Sequence, residues 1–113
     1  MAERYATYEQ FWPFYVSQHR NPTNRRLHVV GTALVLACAA AALIVSPAWL
    51  VVAPVAGYGF AWVGHFFFER NRPATFSYPL WSLRGDFRLF GLMLSGRIAP
   101  ELERAARLFP DRA

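Results

Sequence analysis

The residues of this sequence best suited to chemistry are its three histidines, His19, His28 and His65, and two carboxylates, Glu69 and Asp86. Glu69 follows His65 by four residues, so on a helix the two share one face. A histidine and a carboxylate held together can bind a metal or move protons. They can also form an ordinary interfacial pair. What separates these readings is whether the rest of the chain brings the other histidines to the same place.

Composition sets the environment. The chain has 113 residues, enough for one domain, taken here as residues 1–113; it is 55% hydrophobic and 17% aromatic, with only 17% charged residues. A soluble domain carries roughly 25%. The net charge is +5 and every basic residue is arginine. Such basicity could suit nucleic acid, but no arginine falls in the middle of the chain, and no nucleic-acid partner is expected. The single cysteine, Cys38, lies in an apolar run, which excludes an intramolecular disulfide and a Cys-based zinc site. No cleavable signal peptide is expected, because a polar, aromatic stretch precedes the first apolar run.

That run is the main positioning element. No Asp, Glu, Lys or Arg occurs from Leu27 to Phe68, a stretch well beyond the ~20 residues that span a bilayer. Ser46-Pro47 divides it, with Ser46 as N-cap and Pro47 at the first helical position. The expected fold is an all-α membrane protein built on a transmembrane hairpin, with helices at about 25–45 and 47–70. Asn24 is a suitable N-cap for the first of them. A hairpin buried in a soluble core is the alternative, but the remaining chain is too small to cover two such helices. Arg4, Arg20, Arg25 and Arg26 precede the hairpin, and Arg70, Arg72, Arg84, Arg88 and Arg97 follow it. Both ends should therefore face the cytoplasm, with the turn outside.

Amphipathic helices are expected to flank the hairpin at the interface. Thr7 to Gln10 reads as a capping box opening an aromatic helix that Pro13 should kink or shorten. Its Trp and Tyr residues suit a membrane–water interface, or else a packed core. Pro79 can open a helix with the stripe Leu80, Leu83, Phe87, Phe90 and Leu94, too short to span and stopped by Gly96. Pro100–Phe109 reads as a last amphipathic helix.

The hairpin places the chemistry. His28 and His65 are equidistant from the Ser46–Pro47 turn, so folding there brings them to one depth at the cytoplasmic end. His19 lies on the same side, across the Asn21-Pro22 break, as do Glu69 and Asp86. Several histidines plus a carboxylate, with open positions, suit non-haem Fe(II). Zinc accepts the same ligands, and the spacing does not choose between them. Asn21, Asn24 and Asn71 could orient the ring nitrogens that face away from a metal, or could only cap and turn. Arg70, Arg72, Arg84 and Arg88 could anchor the cytoplasmic side, or one could clamp an acidic head group. Trp62, Phe66, Phe67 and Phe68 read as lipid-facing or packed aromatics.

Three segments together resemble the 2-hydroxy fatty acid dioxygenase family. They are Tyr15-x3-His19-x-Asn21-Pro22-x-Asn24-x3-His28-x2-Gly31, then Gly64-His65-x3-Glu69-x3-Pro73-Ala74, then Pro79-Leu80-Trp81-Ser82-Leu83-x-Gly85-Asp86-Phe87. The family's fungal member acts in phytosphingosine breakdown. The resemblance implies an Fe(II)-dependent membrane enzyme that uses O2 to shorten a 2-hydroxy fatty acid by one carbon. The family's required histidines would correspond to His19, His28 and His65. Fungal members carry additional membrane helices, so this short form could form a homo-oligomer to close its site. Two other readings stand beside it: a non-catalytic membrane protein anchored by its histidines and arginines, and a haem protein with His28 and His65 as axial ligands.

Overall fold

Caps and prolines decide where the helices start. The computed structural model describes residues 5–110; Arg4 lies outside them. Helix α1 spans Tyr8–Ser17. Thr7 Oγ1 accepts the Gln10 amide at 3.2 Å, the forward half of the expected capping box, while Gln10 Oε1 reaches past Thr7 to the Ala6 amide at 3.0 Å. The helix runs through Pro13 instead of ending there. Helix α2, Pro22–Ile44, is capped by Asn21 and not by Asn24. Asn21 Oδ1 accepts the amides of Thr23 and Asn24, and Pro22 takes the first-turn position where its missing N–H leaves no bond unmade.

Helix α3 spans Trp49–Val63. Ser46 does not cap it; its Oγ accepts the Ala48 amide at 3.2 Å, so Ser46 and Pro47 form the turn and the helix begins later than expected. At its far end α3 passes into a π-helical turn, Gly64–Glu69, where a regular helix was expected. Together α2 and α3 form the hairpin; Pro22–Ile44, 23 residues at a mean hydropathy of 2.3, and Trp49–Glu69, α3 with its π-helical turn, 21 residues at 1.5, are each long and apolar enough to cross a membrane. Their apolar side chains point outward. Leu43 is 90% exposed and Val51 73%, which a buried soluble hairpin would not allow.

The remaining helices pack at the end of the hairpin that carries the histidines. Helix α4 spans Pro79–Leu94 and α5 Ala99–Leu108. Gly96, at φ 72°, closes α4 as anticipated: its amide bonds Met93 O and that of Arg97 bonds Leu92 O, a Schellman ending. The aromatic face of α1, read as interfacial, proves to be core. Phe11, Trp12 and Tyr15 are buried among Tyr78, Leu89 and Ala105 of α4, α5 and the segment before them. Trp12 Nε1 donates to Glu101 Oε1 at 2.6 Å, which satisfies the one polar atom of a buried indole. The stripe of α4 divides differently. Leu80, Leu83, Phe87 and Leu94 are exposed, while Ser82, Gly85 and Leu89 face inward. An exposed apolar stripe beside two membrane-length helices suits an interfacial helix.

Candidate metal centre

Three different elements deliver the histidines. His19 follows the end of α1, His28 lies in the second turn of α2, and His65 lies in the π-helical turn. All three are buried, at 1%, 4% and 2% exposure. Their ring centroids are 4.5 Å apart for His19–His28 and His19–His65, and 4.8 Å for His28–His65, with the rings nearly perpendicular. The shared depth read from the hairpin is therefore observed. One chain supplies the whole group.

Each ring is held by its Nδ1. His19 Nδ1 lies 2.6 Å from Tyr15 O, His28 Nδ1 3.0 Å from Asn24 O, and His65 Nδ1 2.6 Å from Asn71 Oδ1. A carbonyl oxygen only accepts, so each Nδ1 carries the proton. The Asn71 amide is oriented by its own Nδ2, which donates to Gln18 O at 3.0 Å. Every Nε2 is then left with a bare lone pair, and those of His19 and His28 face each other at 3.2 Å. Two lone pairs at that distance repel unless a cation or a proton lies between them. Burial first, and the neighbouring imidazoles His28 and His65 next, push the His19 pKa well below its ordinary value, so a proton does not resolve the repulsion near neutral pH.

A metal ion does resolve it. The three ligand atoms lie within 4.8 Å of one another. Nitrogens about 2.1 Å from one ion stand about 3.0 Å apart at a right angle and about 3.4 Å at the tetrahedral angle, which brackets the His19–His28 separation. The enclosed space among Tyr15, the histidines, Ser82 and Asp86 is about 10 Å³, room for one ion or one water. The His19–His28 spacing thus fits one metal ion, with the third neutral imidazole in the same cluster. Haem does not fit: no macrocycle can enter between His28 and His65 with His19 against both rings.

Glu69 stands apart from this group. Its Oε1 accepts the Asn21 amide at 2.8 Å and Asn24 Nδ2 at 3.1 Å, so it braces the start of α2 and touches no ring. Glu69 ends the π-helical turn beside the start of α2, where the Asn21 amide and the Asn24 side chain take its carboxylate. Gly64 opens that turn where a Cβ would come within 2.0 Å of Asn24 Oδ1, so only glycine admits the contact. Arg70 ends it in the left-handed region, at φ 61°, which costs about 1–2 kcal/mol and turns Asn71 back onto His65.

Of the three asparagines, Asn71 orients a ring with its side chain, Asn24 does so only through its main-chain carbonyl, and Asn21 caps α2. The arginines are elsewhere. Arg84 stacks on Tyr8 at 3.9 Å and Arg88 on Trp12 at 4.2 Å, because α4 turns Ser82, Gly85 and Leu89 inward and leaves these positions outside. Arg70 and Arg72 line an open surface groove with Phe66 and Phe67. None of the four lines the histidine chamber.

Asp86 does reach the chamber, and it brings two partners that sequence reasoning missed. Tyr15 Oη donates to Asp86 Oδ1 at 2.5 Å, and the Tyr15 ring stacks on His19 at 4.1 Å. Gly85 permits this approach; a Cβ there would press on the Tyr15 ring at 3.0 Å. Burial raises the Asp86 carboxyl to about 7, the hydrogen bond from Tyr15 opposing the shift. Ser82, one turn before Asp86, is 2% exposed, and its Oγ has no hydrogen-bond partner. An orphaned hydroxyl beside a candidate metal group marks a place for a ligand. The i, i+4 spacing of Tyr15 with His19, and of Ser82 with Asp86, was the signal available. A larger cavity of about 260 Å³ continues from this chamber between α2, α3 and α4, sharing His28, Ala61 and Asp86 with it.

No curated protein and no solved structure matches the chain. The family model described as 2-hydroxy-palmitic acid dioxygenase Mpo1-like matches residues 5–98, a span that takes in all three histidines, Tyr15, Ser82 and Asp86. Covering most of the chain, this match shows that the protein belongs to the Mpo1-like 2-hydroxy-palmitic acid dioxygenase family.

Proposed function

We propose that this protein is an Fe(II)-dependent membrane dioxygenase that shortens 2-hydroxy fatty acids by one carbon through α-oxidation. The observation that carries the reading is the convergence of three buried, neutral imidazoles, each with Nδ1 locked and Nε2 bare. Family membership implies a 2-hydroxy fatty acid and O2 as substrates. Zinc has no redox chemistry to offer O2, so the same three ligands favour iron in this family. Iron bound by His19, His28 and His65 would supply dioxygen activation.

The protein's own residues do the rest. The Nδ1 hydrogen bonds hold the rings, so no reorientation is needed when a ligand arrives. Ser82 Oγ is free to donate to the substrate carboxylate. Asp86, near its midpoint at neutral pH and held by Tyr15, can take the proton of the 2-hydroxyl. Burial keeps bulk water from the reacting atoms. An anchoring role alone would leave the histidines at the surface, where they are not. Metal analysis of purified protein should find about one non-haem iron per chain, and 2-hydroxypalmitate with O2 should give the acid one carbon shorter. Zinc or no metal, with no shortened acid, would overturn the reading.

The same reading includes the orientation, with both ends cytoplasmic and the Ser46–Pro47 turn outside, supported by arginines on only one side of the hairpin. An impermeant thiol reagent added outside should label a cysteine placed at position 47 and miss one at 75. The reverse pattern would invert the topology.

A further inference from the structure

We infer that the cavity beside His28 holds the acyl tail of the substrate, with its head at the histidine chamber, and that Ala53 limits the tail length accepted. This rests on the dioxygenase reading above. Chamber and cavity share His28, Ala61 and Asp86, so a molecule lying in the cavity can present its head at the mouth of the chamber. Ser82 and Asp86 mark the head end with a hydroxyl and a carboxyl. Beyond them the walls are mostly hydrocarbon, from Val35, Ala53, Pro54, Leu83 and Phe87, with Thr32 and Tyr58 also on the lining.

The direction follows from the helices. His28, Thr32 and Val35 occupy successive turns of α2, and Ala61, Gly57 and Ala53 successive turns of α3. The cavity therefore runs along the hairpin and away from the histidines. Eight residues separate Ala61 from Ala53, or about 12 Å at about 1.5 Å each. That is comparable with half a hydrocarbon core, about 15 Å, the depth reached by the tail of a lipid from one leaflet. The space exists because positions 53, 57 and 61 are small. Ala53 is itself buried and stands at the distal end, so a larger side chain there fills the space an acyl terminus would need.

The test compares 2-hydroxy acids of increasing tail length on wild type and Ala53→Phe. In Ala53→Phe, kcat/KM for 2-hydroxypalmitate should fall by about tenfold or more, while that for 2-hydroxyoctanoate stays within about twofold. Bound iron should not change. Equal losses at every length, or no loss, would overturn the inference. A second measurement needs neither the variant nor turnover. 2-Hydroxypalmitate carrying a diazirine at its tail end should label wild type at or next to Ala53, and excess unlabelled 2-hydroxypalmitate should suppress the label. Labelling only of outward residues such as Leu43, or labelling that excess acid does not suppress, marks ordinary bilayer contact and overturns the inference. If wild type shortens no 2-hydroxy acid, the dioxygenase reading fails, and the photolabel still decides whether the cavity binds the tail.

Discussion

Alanine at His19, His28 or His65 should each remove nearly all bound iron from a protein that still inserts in the membrane. The three rings come from three separate elements, so no single helix preserves the site when one of them goes. The clustered ligand atoms are those of the three histidines, and two remaining imidazoles are too few to retain the ion through purification. Asn71→Ala should be milder. It frees the His65 ring without deleting it, and a loss of about 10–100-fold in affinity is the usual cost of removing such a partner. Iron per chain by metal analysis, with membrane fractionation as the check on insertion, separates these outcomes. Full iron content in two of the three histidine variants would show that the cluster is a packed polar core and not a metal site.

The hairpin was legible because its signal is long-range and redundant: no charge from Leu27 to Phe68, and one Ser-Pro break near the middle. The common depth of His28 and His65 followed from that break alone. What escaped the sequence depends on local geometry that residue types do not announce. Gly64 to Glu69 reads as ordinary helix, yet it winds as a π-helical turn, and Glu69 at its end is taken by the start of α2. Asn71 reaches His65 only because Arg70, a residue with no special preference for it, takes a left-handed conformation. Tyr15 holds His19 through a main-chain carbonyl, which every residue possesses. The aromatics of α1 suit an interface and a core equally, and only the packing of α4 and α5 on them decides. Of the four arginines considered for a head group, Arg84 and Arg88 lie on Tyr8 and Trp12, contacts that residue types alone do not announce.

Asp86→Asn should cut turnover by about 10²-fold or more, the usual worth of a positioned proton acceptor, while iron content changes little. The carboxyl touches no part of the three-imidazole group's Nδ1 bonding, so the ligands stay in place without its charge. What is lost is a base. Desolvated and pushed up to about 7, the half-buried Asp86 holds its proton in the folded protein at pH values where an exposed carboxyl has released it. The sign for stability follows: the folded state binds the proton more tightly, so this residue's contribution is greatest below the unfolded pKa and is lost as pH rises towards about 7. The sign for activity is opposite. An acceptor must be ionised, so kcat/KM of wild type should rise with pH and level off above the Asp86 midpoint. A cation held by the histidines favours the ionised carboxylate, so in the iron-loaded protein that rise falls at or below about 7. Asp86→Asn should lose the rising limb. Glu69→Gln is the comparison, because glutamine keeps an acceptor oxygen for the Asn21 amide and Asn24 Nδ2; it should keep both the iron and the pH profile. Wild-type turnover in Asp86→Asn, or an unchanged rising limb, would mean that Asp86 serves only to anchor Tyr15 against His19 and that the substrate proton leaves by another route.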